Sequence, residues 1–137
     1  MRILLDTNII VDIISQRAGY TESLQILRLC ETDHAKGFVS AVTVTDVMYI
    51  LRKHIAPDTV RNSVQTLLLI VDVADVLKGD ISAAFSSGMK DFEDAVQASC
   101  AERIKADYIV TRNIKDYVCS LTPAILPNEM LKILEII

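Results

Sequence analysis

Tryptophan is absent from this sequence, and turn formers and aromatics are scarce: 4 Gly, 3 Pro and 5% aromatic residues. A chain with so few of them is not a loop-rich or disordered protein. With 51% apolar residues, its core has to be built from Ile, Leu, Val and Ala. Cysteine is limited to Cys30, Cys100 and Cys119, scattered, odd in number and without a C-x-x-C pair. That fits a reduced, cytoplasmic setting better than a secreted disulfide scaffold. His34 and His54 are too few and too far apart to suggest a zinc site. The longest apolar stretches, such as Leu67–Val71, fall far short of the ~20 residues of a membrane span. No membrane association is expected, and Met1-Arg2 leads directly into a strand rather than a signal peptide. An excess of positive charge is also missing. At a net charge of −4, the protein cannot hold nucleic acid through a bulk basic surface and would need a local basic rim or metal ions.

What is present is an alternation of short apolar runs with helical periodicity over 137 residues, a length suited to one domain. Ile3-Leu4-Leu5 reads as a buried strand that stops at Asp6. Apolar residues resume at Ile9, Ile10, Ile13 and Ile14 with helical spacing, and Thr7 or Asn8 can cap that helix. A second helix starts at Thr21. Phe38–Ala41 reads as the second strand, followed by a helix through Val47 and Leu51 that carries Asp46. Pro57 opens a helix with the stripe Val60, Val64, Leu67, Leu68, and residues 69–73 are the expected third strand. A short helix runs from Ile81 to Ser87, ended by Gly88. A helix with small residues Ala95, Ala98 and Ala101 opens after Asp91. Residues 107–112 are the fourth strand, residues 124–126 a short fifth, and a last helix runs from Pro127 to Ile137. Strands alternating with helices predict an α/β fold: a parallel sheet with helices on both faces and right-handed crossovers.

Several acids fall where such a sheet brings its ligands, at the carboxyl ends of the strands. Asp6 ends the first strand, and Asp116 lies just past the fourth. Asp46 follows the second strand, and Asp91 and Asp94 open the helix before the fourth. Any one of them is explained equally well as a helix cap or a charge favoured by the helix dipole. The four carboxylates Asp6, Asp46, Asp94 and Asp116, converging in a pocket, repel each other, and a divalent cation resolves that cost. Magnesium or manganese can also activate water for phosphodiester hydrolysis. Arg112 and Lys115, with Arg17, Arg52 and Lys53, could form a basic rim for RNA. Glu93 lies about 100° around the helix from Asp94 and reads as a solvated charge. Asp91, at the helix start, reads as a cap.

The chain resembles the PIN-domain nucleases, most closely the VapC-type toxins. The segments that carry the resemblance are Leu4-Leu5-Asp6-Thr7-Asn8-Ile9, Ser40 to Val47, Asp91-Phe92-Glu93-Asp94-Ala95 and Val110 to Tyr117, in family order over almost the whole chain. The resemblance implies a single PIN-like domain over residues 1–137, with a five-stranded sheet ordered 3-2-1-4-5 and a Mg²⁺- or Mn²⁺-dependent ribonuclease site. It assigns the catalytic and metal-binding acids to Asp6, Asp46, Asp94 and Asp116. The family more often has Glu where Asp46 stands. The polar residues Thr7, Asn8, Thr111 and Asn113 support them, and Asn113 stands where some members carry an acid. It further implies an antitoxin protein that threads into the acidic groove, and a homodimer. The dimer face would come from the Val60-Val64-Leu67-Leu68 stripe or the last helix, unless both face the core. Two other readings remain open: a Mg²⁺-binding module like a response-regulator receiver, and a catalytically inactive domain that binds RNA or protein.

Overall fold

A computed structural model describes residues 1–136 of the chain. Five parallel strands make up the sheet: β1 (Arg2–Leu5), β2 (Lys36–Ser40), β3 (Asp72–Ala74), β4 (Tyr108–Val110) and β5 (Ala124–Ile125). Their order across the sheet is β3-β2-β1-β4-β5, as the resemblance implies. A receiver-type sheet, ordered 2-1-3-4-5, would put β3 next to β1; here β1 is flanked by β2 and β4.

Helices cover both faces. α1 (Thr7–Ser15), α2 (Tyr20–Glu31), α3 (Ala41–Leu51), α4 (Pro57–Leu67) and α7 (Pro127–Ile136) form one layer. Their Ile9, Ile10, Ile26, Val47, Leu51, Val60 and Met130 pack on Ile3 and Leu5 of β1. α5 (Lys78–Ser86) and α6 (Phe92–Arg103) lie on the other side. There Ala98 and Ala101 meet Leu4 and Ile109, so the small side chains bring α6 close to the sheet. The alternation of Ile3, Leu4 and Leu5 between two cores follows from the strand period of two. Between α5 and α6, buried Asp80 accepts from the Leu77 N–H (2.9 Å) and Ser99 Oγ (2.8 Å) and pairs with Arg103 (3.1 Å). Burial alone would raise its pKa, but these partners together hold it below the usual carboxylate value.

Several expected boundaries move. The third strand is not residues 69–73. α4 runs through Leu67, the chain turns, and Leu69 is 87% exposed; pairing to β2 begins at Asp72. The apolar run Leu67–Val71 is therefore a helix end plus a turn, and β3 is a short edge strand. Neither Thr7 nor Asn8 caps α1: Asp6 does, its side chain accepting from the Thr7 N–H. The short helix starts earlier, at Lys78, and Gly88 follows it at φ +73°, a left-handed conformation that favours glycine. The expected end of the last helix at Ile137 lies outside the described residues. The stripe Val60, Val64, Leu67 is buried, as are Met130, Leu131 and Leu134 of α7. The first of the two supposed dimer faces is thus spent on the core, and so are these residues of the second. Exposed apolar side chains lie instead on α3 (Tyr49, Ile50), on α5 (Ile81, Phe85) and at Phe92, whose ring sits 4.6 Å from that of Phe85.

Candidate functional site

β1 ends by passing its last ladder bond to Asp6, whose N–H donates to the Val110 carbonyl (3.0 Å). The Asp6 side chain is 6% exposed and sits at the carboxyl edge of the central strand. Its Oδ1 accepts from the Thr7 N–H (2.8 Å) and Gln97 Nε2 (3.3 Å). Its Oδ2 accepts from Thr111 Oγ1 (2.8 Å) and Asn8 Nδ2 (3.1 Å). The cap reading and the site reading of Asp6 are therefore compatible: one oxygen caps α1 while four donors hold the carboxylate as a whole in place. The supporting residues are themselves tied. Thr111 Oγ1 accepts from the Asn113 N–H (3.1 Å) and from Asn8 Nδ2 (3.3 Å), and Thr7 Oγ1 lies 2.9 Å from Thr43 Oγ1.

Asp94 sits in the first turn of α6, half-buried. Asp91 caps that helix, its Oδ1 accepting from the Asp94 N–H (2.9 Å). Burial, then the charges of Asp6, Asp91 and Asp116, push the Asp94 carboxyl up to about 7, against a smaller opposing effect of Tyr117. The buried Tyr117 hydroxyl donates to Asp94 Oδ1 (3.3 Å), and burial beside Asp6 and Asp94 raises its own pKa far above the usual phenol value. Asp116 is exposed on a 3-10 turn, Ile114–Tyr117, that follows β4.

Asp6, Asp94 and Asp116 line one hollow of ≈ 230 Å³, together with Asn8, Asn113 and Glu93 and with Arg17 and Arg112 at its edge. A second hollow of ≈ 380 Å³ adjoins it across Asp94 and Asp116, with Lys90 and Lys115 in its wall. A larger one, ≈ 580 Å³, opens at the opposite end of the sheet between Arg2, Lys36 and Asp72, away from the acids. Asp46 does not line the acidic hollow. It reaches the cluster through Glu93, which stands within hydrogen-bonding reach of it. Hydrogen bonding with Asp46 first, then burial and the charges of Asp46, Asp91 and Asp94, push Glu93 up to about 8. Glu93 is thus no plain solvated charge. Position around α6 alone separates it from Asp94, but α3 approaches that side and supplies Asp46.

Arg112 is less free than a rim residue would be. Its Nε pairs with Asp12 Oδ2 at 2.6 Å. Asp12 is buried on α1, its Oδ1 lacks a hydrogen-bond partner among the described residues, and burial raises its pKa despite Arg112 and Arg17. Sequence reasoning missed Asp12, Thr43, Tyr117 and Gln97. For Gln97 a signal existed: it is the one amide in the apolar run Ala95–Ala98, three residues after Asp94 and so on the same side of α6.

Among the described residues, no three His, Cys, Asp or Glu side chains stand close enough to enclose an ion together. The ion pairs found there are Lys36–Asp72, Arg103–Asp80 and Arg112–Asp12, so Asp6, Asp94 and Asp116 have no cationic side chain bonded to them. The cluster is an uncompensated negative site of the kind that one or two carboxylates and several waters offer to magnesium.

Known proteins bear on this geometry. The VapBC complex of Salmonella typhimurium bound to DNA superimposes with a TM-score of 0.72 at 15% identity, over 93% of this chain and 98% of that one. VapBC2 of Rickettsia felis, bound to a promoter DNA fragment, gives 0.71 at 18% identity, over 92% and 98%. VapC20 of Mycobacterium tuberculosis, described as a sarcin–ricin loop cleaving toxin, gives 0.64 at 13% identity, over 78% and 86%. At these identities the likeness is one of fold. No curated protein sequence matches. The family model of the PIN domain matches residues 2–115. With most of its length matched by that model and its strands in the expected order, the chain belongs to the PIN-domain family.

Proposed function

We propose that this protein is a metal-dependent endoribonuclease, the toxin of a toxin–antitoxin pair. The observation that carries the reading is the convergence of Asp6, Asp94 and Asp116 on one hollow without a bonded cationic side chain, with Asp94 pushed up to about 7. A bound Mg²⁺ or Mn²⁺ ion would screen these charges, orient a substrate phosphate and lower the pKa of an attacking water. Asp6 and Asp94 would hold it, with Asp116 and the Asp46–Glu93 pair around it. Asp6 already accepts four hydrogen bonds. Of its side-chain donors only Asn8 lines the hollow, so Asn8 is the one that yields to an ion. Thr111 keeps hold of that same oxygen, Oδ2, when Asn8 yields, Thr7 and Asn113 brace the loops, and Tyr117 holds the Asp94 rotamer. Lys115, Lys90, Arg17 and the outer nitrogens of Arg112 would meet RNA phosphates, which fix position rather than sequence.

The toxin part of the reading leans on the neighbours, two of them VapBC complexes and one a toxin that cleaves the sarcin–ricin loop. On that basis the proposed partners are RNA, an antitoxin that occupies the acidic groove, and a second copy of the chain. The PIN domain is proposed to span residues 1–137, and the setting to be cytoplasmic; no helix among the described residues is long and apolar enough to cross a membrane. Purified chain, free of antitoxin, should cut structured RNA in millimolar Mg²⁺ or Mn²⁺ and stop in EDTA. Absence of metal-dependent cleavage of any RNA favours the inactive interaction domain instead. A single 15 kDa species in light scattering at micromolar concentration would end the dimer proposal.

A further inference from the structure

We propose that Gln97 is a positioning residue for the metal site, holding the Asp6 carboxylate from behind and setting its place relative to Asp94. The inference rests on the metal-site reading above. Gln97 is 1% exposed and lies outside the hollow. Both protons of its Nε2 are used: one toward Asp6 Oδ1 (3.3 Å), the other toward Thr43 Oγ1 (3.1 Å). Its Oε1 is enclosed and has no partner among the described residues. The opposite amide orientation would set a carbonyl oxygen against the carboxylate and strand the NH₂ group, so the donor must face Asp6.

Packing alone does not account for this side chain. Its neighbours on α6 are Ala95, Val96, Ala98 and Ala101, all buried. An apolar residue would fill the same place without an unsatisfied amide oxygen, which is costly when buried. What the amide does provide is a link. Asp6 belongs to the end of β1, Thr43 to the first turn of α3, and Gln97 to α6, the helix that carries Asp94 one turn earlier. Thr43 is anchored in turn: its N–H donates to Ser40 Oγ (3.2 Å) and its hydroxyl lies 2.9 Å from Thr7 Oγ1. One side chain thus ties the three elements that present Asp6, Asp46 and Asp94. Asp6 turns more freely about its Cβ–Cγ bond when an oxygen loses one of its two donors and nothing replaces it. Thr111 fixes Oδ2; Gln97, with the Thr7 N–H, fixes Oδ1. Outer partners of this kind change metal affinity by about 10- to 100-fold when removed.

The test is a Mn²⁺ titration of the metal-free protein by calorimetry, with its melting point recorded before metal is added. Wild type and Gln97→Met, close in volume and without an amide, are compared. The expected result is at least a 10-fold weaker Mn²⁺ affinity for Gln97→Met, with a melting point equal to or above that of wild type. A purely structural Gln97 gives the reverse, a lowered melting point with unchanged affinity of the folded molecules, and overturns the proposal while the metal-site reading stands. If wild type itself takes up no Mn²⁺, both fall. Should Gln97→Met fail to fold, Thr43→Val and Thr43→Ser decide. Val removes the second anchor of Gln97 and weakens Mn²⁺ binding, and Ser, which keeps the hydroxyl, restores it. Equal affinity for Val, Ser and wild type overturns the assignment.

Discussion

Replacing Asp94 by Asn isolates the electrostatic cost of the acidic cluster. In the metal-free protein the Asp94 carboxyl is raised from 3.8 to about 7. Between those two values the folded state keeps a proton that the unfolded state has lost, so stability falls as pH rises through the window. The full shift corresponds to about 4 kcal/mol at pH 8. At pH 5 the folded carboxyl is almost fully protonated and the unfolded one mostly ionised, which leaves about 1.5 kcal/mol. Asn does not titrate, so any fixed cost of burying its amide cancels when the two pH values are compared, and the Tyr117 hydroxyl can still donate to its Oδ1. The stability of Asp94→Asn relative to wild type should therefore grow by about 2.5 kcal/mol from pH 5 to pH 8, less whatever solvent relaxation removes. With an unfolding entropy of about 0.3 kcal/mol/K for a chain of this length, that is an upper limit of about 9 °C in Tm. The assay is thermal or urea unfolding in EDTA at both pH values. A difference between the two proteins that is the same at pH 5 and pH 8 would refute the reasoning, as would one that moves in favour of wild type as pH rises.

Added metal should act in the opposite sense: Mn²⁺ at about 100 times its Kd should stabilise wild type by about 2.7 kcal/mol, and an unchanged Tm in millimolar Mn²⁺ counts against a metal site. Arg112→Ala leaves Asp12 buried without its partner; a loss on the order of 3 kcal/mol is expected at pH 8, shrinking as pH falls because burial raises the Asp12 pKa, and urea midpoints across a pH series read it. Gly37→Ala puts a Cβ 2.8 Å from Val71 Cγ1 and 3.0 Å from Cys30 Sγ, so it should destabilise by about 1–3 kcal/mol without changing Mn²⁺ affinity; a melting point equal to wild type would show that Val71 gives way freely.

How far these features were legible depends on whether a residue's surroundings are local. β1 and its acid were readable because Ile3-Leu4-Leu5 is buried on both faces and stops at a carboxylate. The Asp91 cap was readable because its partner, the Asp94 N–H, is three residues away. β3 was misplaced because an edge strand needs no apolar signature: Val73 is 42% exposed, whereas the apolar Leu67 and Val71 serve the α4 end and the turn. The contacts of Glu93 and Arg112 were out of reach of local reading because each meets its carboxylate across a long sequence gap, Asp46 on α3 and Asp12 on α1. Gln97 stood out by its place three residues after Asp94, but its partners, residues 6 and 43, lie on other elements and the spacing within α6 does not name them.

The most direct test of the central claim is the rate of RNA cleavage by wild type, Asp91→Asn and Asp94→Asn, measured side by side in Mn²⁺ with antitoxin-free protein. Asn can accept the Asp94 N–H as Asp91 does, so Asp91→Asn should stay folded and keep most of the activity. Asp94→Asn should stay folded and lose cleavage by about two orders of magnitude or more. A folded Asp94→Asn that cleaves at the wild-type rate, or loss of cleavage in Asp91→Asn alone, would contradict the account.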